Sequence, residues 1–195
     1  MKNVEKILEE IGIEKNIYVE DVPNLDLYMD QVIQLFESTF SDSAKEEKEK
    51  IMTKTMINNY AKARLFFPIK NKKYSKEHIL LISLIFQLKG ALSIQEIKLV
   101  LERMNEKIVK EKFDLETFYN HYLSMTKNNA LSIQSNTKEM EKLAEEKVKS
   151  MGDKDEDYLQ TLLMIASFAH QSNIYKRMAE RLAQEISETN TTGEN

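Results

Sequence analysis

The sequence contains no cysteine. Disulfides, thiolate metal sites and cysteine nucleophiles are therefore excluded. Proline occurs twice and glycine four times in 195 residues, too few for turn-dense β-sandwiches and barrels. No apolar run approaches the ~20 residues that span a bilayer, so no membrane partner is expected. The stretch Met1 to Gly12 alternates charged and apolar side chains and lacks the apolar region of a signal peptide. Glycine-rich phosphate loops and the paired histidines of a zinc protease are missing too. The three histidines, His78, His121 and His170, stand far apart, and the last two are expected on the surface or in local hydrogen bonds. Acids such as Glu145-Glu146 and Asp155-Glu156-Asp157 lie in strings typical of solvated helix. No catalytic residue, metal ligand or cofactor is expected, and the chain reads as a cytoplasmic, mostly helical protein that is not an enzyme.

What is present is charge, unevenly placed. The net charge is −4. Residues 1–42 carry three lysines against ten acids, and residues 111–195 carry ten basic against fifteen acidic residues. Between them, residues 43–110 carry fifteen basic residues against seven acids. Within 52–76 the basic residues are Lys54, Lys62, Arg64, Lys70, Lys72, Lys73 and Lys76, with no acid at all. A local basic surface of this kind is what phosphate binding needs, whatever the global charge.

Apolar spacing gives the elements. Residues 2–11 form a short amphipathic helix through Val4, Ile7, Leu8 and Ile11, stopped by Gly12. After a connector ending at Val22-Pro23-Asn24, Asn24 or Asp26 caps a helix to about Phe40, with Leu25, Tyr28, Met29, Val32, Ile33, Leu35, Phe36 and Phe40 as its apolar set. The polar run 44–50 is a solvated turn of helix or a linker. Thr53 caps the next helix, which buries Met56, Ile57, Tyr60, Ala61 and Leu65 and ends at Phe66-Phe67-Pro68. Ile69 to Tyr74, with a polar tip at Lys70–Lys73, suit a two-stranded ribbon. Ser75 caps a helix so apolar around its circumference that it belongs at the centre. Ser93-Ile94-Gln95-Glu96 is a capping box for a helix to about Lys107. Asp114 caps a long helix through Phe118, Tyr122 and Met125, and the acids 153–157 open a last one.

The order helix, capped helix, aromatic-proline break, basic ribbon, capped helix is that of a helix-turn-helix with a wing. In such modules the second helix reads the major groove. Removing its buried set leaves Lys54, Thr55, Asn58, Asn59 and Lys62 outward, all able to meet base edges or phosphate. Lys70, Lys72 and Lys73 on the ribbon would grip the phosphate backbone alongside.

The stretch Met52 to Met104 resembles the winged DNA-binding domain of MerR-type regulators. Thr53, Ile57, Tyr60, Leu65, Pro68, Tyr74, Ser75, Ser93, Glu96 and Ile97 match its capped recognition helix, Leu-Pro exit, wing closing on Tyr-Ser, and helix opened by Ser-x-x-Glu-Ile. With Val22-Pro23-Asn24 and Leu27-Tyr28-Met29-Asp30-Gln31-Val32 added, the string over roughly 20–110 resembles a bacterial family, domain of unknown function 1836. That resemblance implies a MerR-like fold and brings no ligand or operator. Arg64 stands where the MerR pattern has an exit glycine, and Asn58-Asn59 where it has the phosphate-holding Arg-Tyr pair. The connection at 41–51 is longer than a helix-turn-helix turn, and without cysteine thiolate metal sensing is excluded.

The expected fold is all-α: a MerR-like winged helix-turn-helix with a small two-stranded wing, then a C-terminal helical bundle or dimerisation helices. Residues 1–23 are the N-terminal helix and connector, 24–110 the DNA-binding domain, 111–188 a dimerisation or effector region, and 189–195 a disordered tail. The expected partners are double-stranded DNA, a second copy of the chain and an effector of unknown chemistry. The alternative is a protein-interaction module that keeps the winged scaffold without binding DNA.

Overall fold

The computed structural model describes residues 4–41 and 51–192. The polar run 44–50 lies outside the described residues. Among the described residues the fold is all-α apart from one small ribbon. Among the described residues, no helix is long and apolar enough to cross a membrane.

Helix α1 (Val4–Ile11) ends at Gly12, whose φ of 64° is the left-handed turn that glycine accepts without strain. A single 3-10 turn, Val19–Asp21, lies in the connector. Strand β1 (Leu27–Tyr28) precedes α2 (Met29–Phe40). The helix therefore begins later than Asn24 or Asp26 would set it. The Tyr28 N–H donates to the Gln31 side-chain carbonyl at 2.8 Å, closing the first turn. Leu25 and Tyr28 fall outside the helix and are exposed, because 27–28 spend their backbone on a ladder instead. Val32 and Phe36 face the core, and Phe36, Phe40 and Phe86 form an aromatic cluster with centroids 5.2–6.3 Å apart.

Helix α3 (Lys54–Lys62) starts at Thr53, whose hydroxyl accepts from the Met56 N–H at 3.1 Å. Ile57, Tyr60 and Leu65 are buried, whereas Ala61 is exposed. Strand β2 (Lys73–Tyr74) pairs antiparallel with β1, Leu27 opposite Tyr74 and Tyr28 opposite Lys73. The ribbon expected within 69–74 thus takes its second strand from ahead of α2. Only one bridge, Lys70 to Lys73, closes the tip itself. Strand alternation sends Leu27 and Tyr74 into the core and Tyr28 outward.

Helix α4 (Lys76–Leu88) is central, as its composition requires: His78 to Ile85 are all buried. Helix α5 (Ile94–Glu111) opens with both bonds of the capping box, Ser93 N–H to Glu96 at 2.7 Å and Glu96 N–H to Ser93 Oγ at 3.3 Å. It runs one turn past Lys107 and stops at Lys112, which is left-handed.

Helix α6 (Leu115–Lys149) is capped by Asp114, which accepts from the Thr117 N–H at 3.0 Å. Its buried face is the expected one only in part: Tyr122 packs half-buried against the main core. Tyr119 and Leu123 go inside, while Phe118 and Met125 are exposed. Beyond Leu123 the buried residues Ala130, Thr137 and Ala144 recur every seventh position. α1 packs on this stretch through Val4, and Glu5 pairs with Lys138 at 2.6 Å. Helix α7 (Glu156–Thr192) returns along α6 and then packs against α5. It continues past Thr189, where the composition suggests a tail; residues 193–195 lie outside the described residues.

The main core runs from Ile17 to Leu123 and, among the described residues, takes Ala183 alone as a buried member from beyond. One polar junction pins three parts of it. The buried Tyr119 hydroxyl donates to the Ile17 carbonyl at 3.0 Å and accepts from Ser83 at 2.7 Å. Burial pushes its pKa up to about 12, so it stays a donor at any ordinary pH.

Candidate nucleic-acid interface

Five of the expected contact residues lie on one strip of α3. Lys54, Thr55, Asn58, Asn59 and Lys62 are all exposed, and their spacing places them side by side along the helix. They point out because Ile57 and Tyr60 point in. No acid stands on α3 itself. The acidic neighbour comes from α2, where Asp30 lies 2.7 Å from the Lys54 ammonium, both groups exposed. Nothing local in the sequence marks it, since the two positions are brought together by the packing of α2 on α3.

The exit of α3 is built tightly. Leu65 N–H returns to the Tyr60 carbonyl and Arg64 N–H to the Ala61 carbonyl, both at 3.0 Å. This double closure is the Schellman end, and its pivot residue must be left-handed. That residue is Arg64, with φ 58°. The Asn105 amide on α5 donates to the Leu65 carbonyl at 3.0 Å and holds the turn from the other side.

From there the chain enters the wing. His78 is the hinge pin between α3 and the wing. Its Nδ1 lies 3.1 Å from the Ser75 N–H, which donates to it. Nε2 therefore carries the proton and donates to the Phe67 carbonyl at 3.1 Å. Phe66, Phe67 and Tyr74 surround the ring. Burial lowers the His78 pKa below its ordinary value, against smaller opposing effects led by the Phe67 hydrogen bond. The neutral ring fits both of its partners.

The wing tip turns through Asn71 and Lys72, with φ 52° and 58°. Two consecutive left-handed residues mark a type I′ turn, the hairpin type whose twist matches its strands. Lys70 and Lys72 are exposed. Lys73 is half-buried, with its ammonium 5.0 Å from the centroid of the Tyr28 ring. Lys73 is thus engaged by an aromatic from β1, and Tyr28, 55% exposed, joins the candidate surface. Apolar spacing does not predict Tyr28 at this surface, because it assigns the residue to a helix, whereas Tyr28 lies in β1 of the ribbon. The strip on α3 and the wing turn are separate elements, and both α3 and β2 pack against α2.

The family model described as a domain of unknown function (DUF1836) matches residues 17–122. The chain belongs to this family. No curated protein and no solved structure matches it. The DUF1836 segment nearly coincides with the main core, which begins at Ile17 and ends its continuous run at Leu123. The family segment therefore includes the first turns of α6, and with them Tyr119. Outside it, α6 and α7 enclose a groove of about 390 Å³ lined by Ile133, Asn136, Met140, Phe168, Gln171 and Tyr175. His121 and His170 are exposed, as expected.

Proposed function

We propose that the chain is a DNA-binding regulator of MerR-like, winged helix-turn-helix type, with α3 in the major groove and the wing turn on the adjacent phosphates. The observation that carries this reading is the strip of α3, which presents two lysines, two asparagines and a threonine to solvent. An asparagine amide can pair bidentately with adenine, and lysine can reach guanine or phosphate. Lys70 and Lys72 supply unburied cations at the wing, and Lys73 holds the ribbon over Tyr28. Reading two half-sites takes two copies, so the acting species is a homodimer. An effector has the groove between α6 and α7 available to it.

The Lys54–Asp30 ion pair favours one other reading, a protein-interaction surface on the same scaffold. There an acid already answers a base, as an acidic protein partner would.

Fluorescence anisotropy against a pool of the source genome's duplex fragments, over a salt series, separates the two. On the DNA reading, log affinity falls with log salt by ~0.9 per phosphate neutralised. Lys70→Ala/Lys72→Ala then lowers the slope by ~1–2 and weakens every fragment alike. Asn58→Ala or Asn59→Ala costs ~1–3 kcal/mol on the tightest fragments only and leaves the slope unchanged. Absence of binding at about 50 mM salt, for both the natural chain and Asp30→Asn, overturns the DNA reading and leaves the protein-interaction surface.

A further inference from the structure

Charged residues make up 31% of the sequence, yet among the described residues none of the side chains that enclose the groove between α6 and α7 is charged. Carboxamides stand there instead, Asn129 and Asn136 on α6 and Gln171 on α7, with the rings of Phe168 and Tyr175 on the α7 wall. Gln171 is held by donating to the Met140 thioether at 3.3 Å. The side-chain amides of Asn129 and Asn136 have no hydrogen-bond partner among the described residues. Thr137 also lines the groove and is only 2% exposed. A helical threonine commonly returns its hydroxyl to a carbonyl one turn back, and Thr39, Thr126 and Thr161 do so here. The Thr137 hydroxyl does not, and it has no other partner among the described residues. A valine would fill the same space without leaving a polar group unanswered. The hydroxyl is therefore placed for something that enters the groove.

We propose that this groove binds an uncharged adenine-type heterocycle, as the free base or its nucleoside. With no cation on its walls, the groove has nothing to hold a phosphate or carboxylate, and with no acid, nothing to hold an amine. A carboxamide presents an N–H and a C=O side by side in one plane, the pattern that meets the edge of adenine in two bonds. Asn136 supplies that pair, and the Thr137 hydroxyl, donor or acceptor as required, supplies a third bond beside it. Phe168 and Tyr175, 39% and 69% exposed, offer rings on which a base can stack. A nucleoside shares its hydroxyls with a plain sugar, but the planar edge and the planar face belong to the base alone. The cavity of about 390 Å³ is of the size that small molecules occupy. It lies beyond the DUF1836 segment, which ends at residue 122. The binding stands on α6 and α7; only its use as the effector rests on the DNA-binding reading.

Isothermal titration of the full chain, without DNA, is the test. Adenosine is expected to bind, AMP about tenfold more weakly because its phosphate meets no cation, and glucose not at all. Thr137→Val should weaken adenosine about fivefold. Because that hydroxyl answers nothing in the free chain, the same change should not lower the urea midpoint, which a merely structural threonine would do. Asn136→Ala and Tyr175→Ala, both at exposed positions, should each weaken adenosine about tenfold with helix content kept. Tyr158→Ala, a comparably exposed tyrosine of α7 outside the groove, should leave the affinity unchanged. Failure of adenosine to bind below about 1 mM, AMP or glucose binding as tightly as adenosine, or an affinity indifferent to the Thr137, Asn136 and Tyr175 changes overturns the proposal. Adenosine added to the DNA titration then tests its use. A shift in DNA affinity makes it the effector, and an unchanged affinity removes that role and keeps the site. Adenosine binding by a chain that binds no DNA also keeps the site, while the regulator reading falls.

Discussion

Arg64 occupies a position that suits a residue without Cβ. Its φ of 58° closes the Schellman end of α3, and a left-handed conformation costs a residue with Cβ about 1 kcal/mol or more. Arg64→Gly should therefore stabilise the fold by ~0.5–1 kcal/mol, partly offset by the looser unfolded chain. A higher urea midpoint at unchanged m-value is the expected result. Arg64→Ala keeps the strain and removes only the charge, so its midpoint should stay near that of the natural chain. His78 makes a different prediction, on pH. Because burial holds its pKa below 6.5, the unfolded chain takes up its proton first as pH falls. Stability contributed by neutral His78 is complete above pH 6.5. It drains as pH falls from there toward the folded pKa, no faster than ~1.4 kcal/mol per pH unit. Urea midpoints at pH 7.5 and 5.5 should fall further apart for the natural chain than for His78→Gln. Equal differences for the two would show that the ring is free to protonate where it sits.

At the scale of elements, what could be read in advance was what depends on bonds between near neighbours. Thr53, Ser93 and Asp114 each cap a helix because the cap bond reaches only three residues on. The outward strip of α3 was legible for the same reason: once Ile57 and Tyr60 are assigned inward, helical geometry fixes the rest. The first strand was not legible. Leu27 and Tyr28 have an apolar and aromatic pattern that a helix shares, and only the partner strand at Lys73–Tyr74 decides between them. The inside of α6 is only partly legible, on similar grounds: of the expected Phe118, Tyr122 and Met125, Tyr122 alone packs on the core. Phe118, Tyr119, Tyr122, Leu123 and Met125 surround much of the helix, so periodicity admits two faces. The choice between them is made by Ser83 and the Ile17 carbonyl, both distant in sequence. The case of α7 is sharper. Its apolar period is plain, yet a period names a face and not what covers it, and half of that face is bare in the single chain.

At the scale of the whole molecule, the core and the long helices are separable in their burial. Main-core burial is supplied by residues 17–123 except for Ala183 and the half-buried Ala179. The distal cluster of Val4, Ala144 and Met164 is a second, smaller one. Two alanines contribute about 1 kcal/mol each at most, so the core should survive without α7. A fragment of residues 17–126 is expected to unfold cooperatively in urea, ~1–3 kcal/mol less stable than the full chain. It keeps the strip of α3, the wing and the Tyr119 junction. A fragment of residues 21–126 tests how much that junction matters. It loses Ile17, which is fully buried, and the carbonyl to which Tyr119 donates. The Tyr119 hydroxyl keeps Ser83 but gives up its acceptor inside the core. The expected loss is a further ~3 kcal/mol or more, from the vacated apolar volume and the unanswered donor together. If the 17–126 fragment shows no cooperative transition, the long helices hold the family domain together and the core is not autonomous. If it folds but 21–126 is equally stable, Ile17 and its carbonyl are dispensable and the Tyr119 junction does not fasten the N-terminal connector. Near-UV circular dichroism of the tyrosines, followed through the same urea series, would report whether Tyr119 is still held when the backbone is.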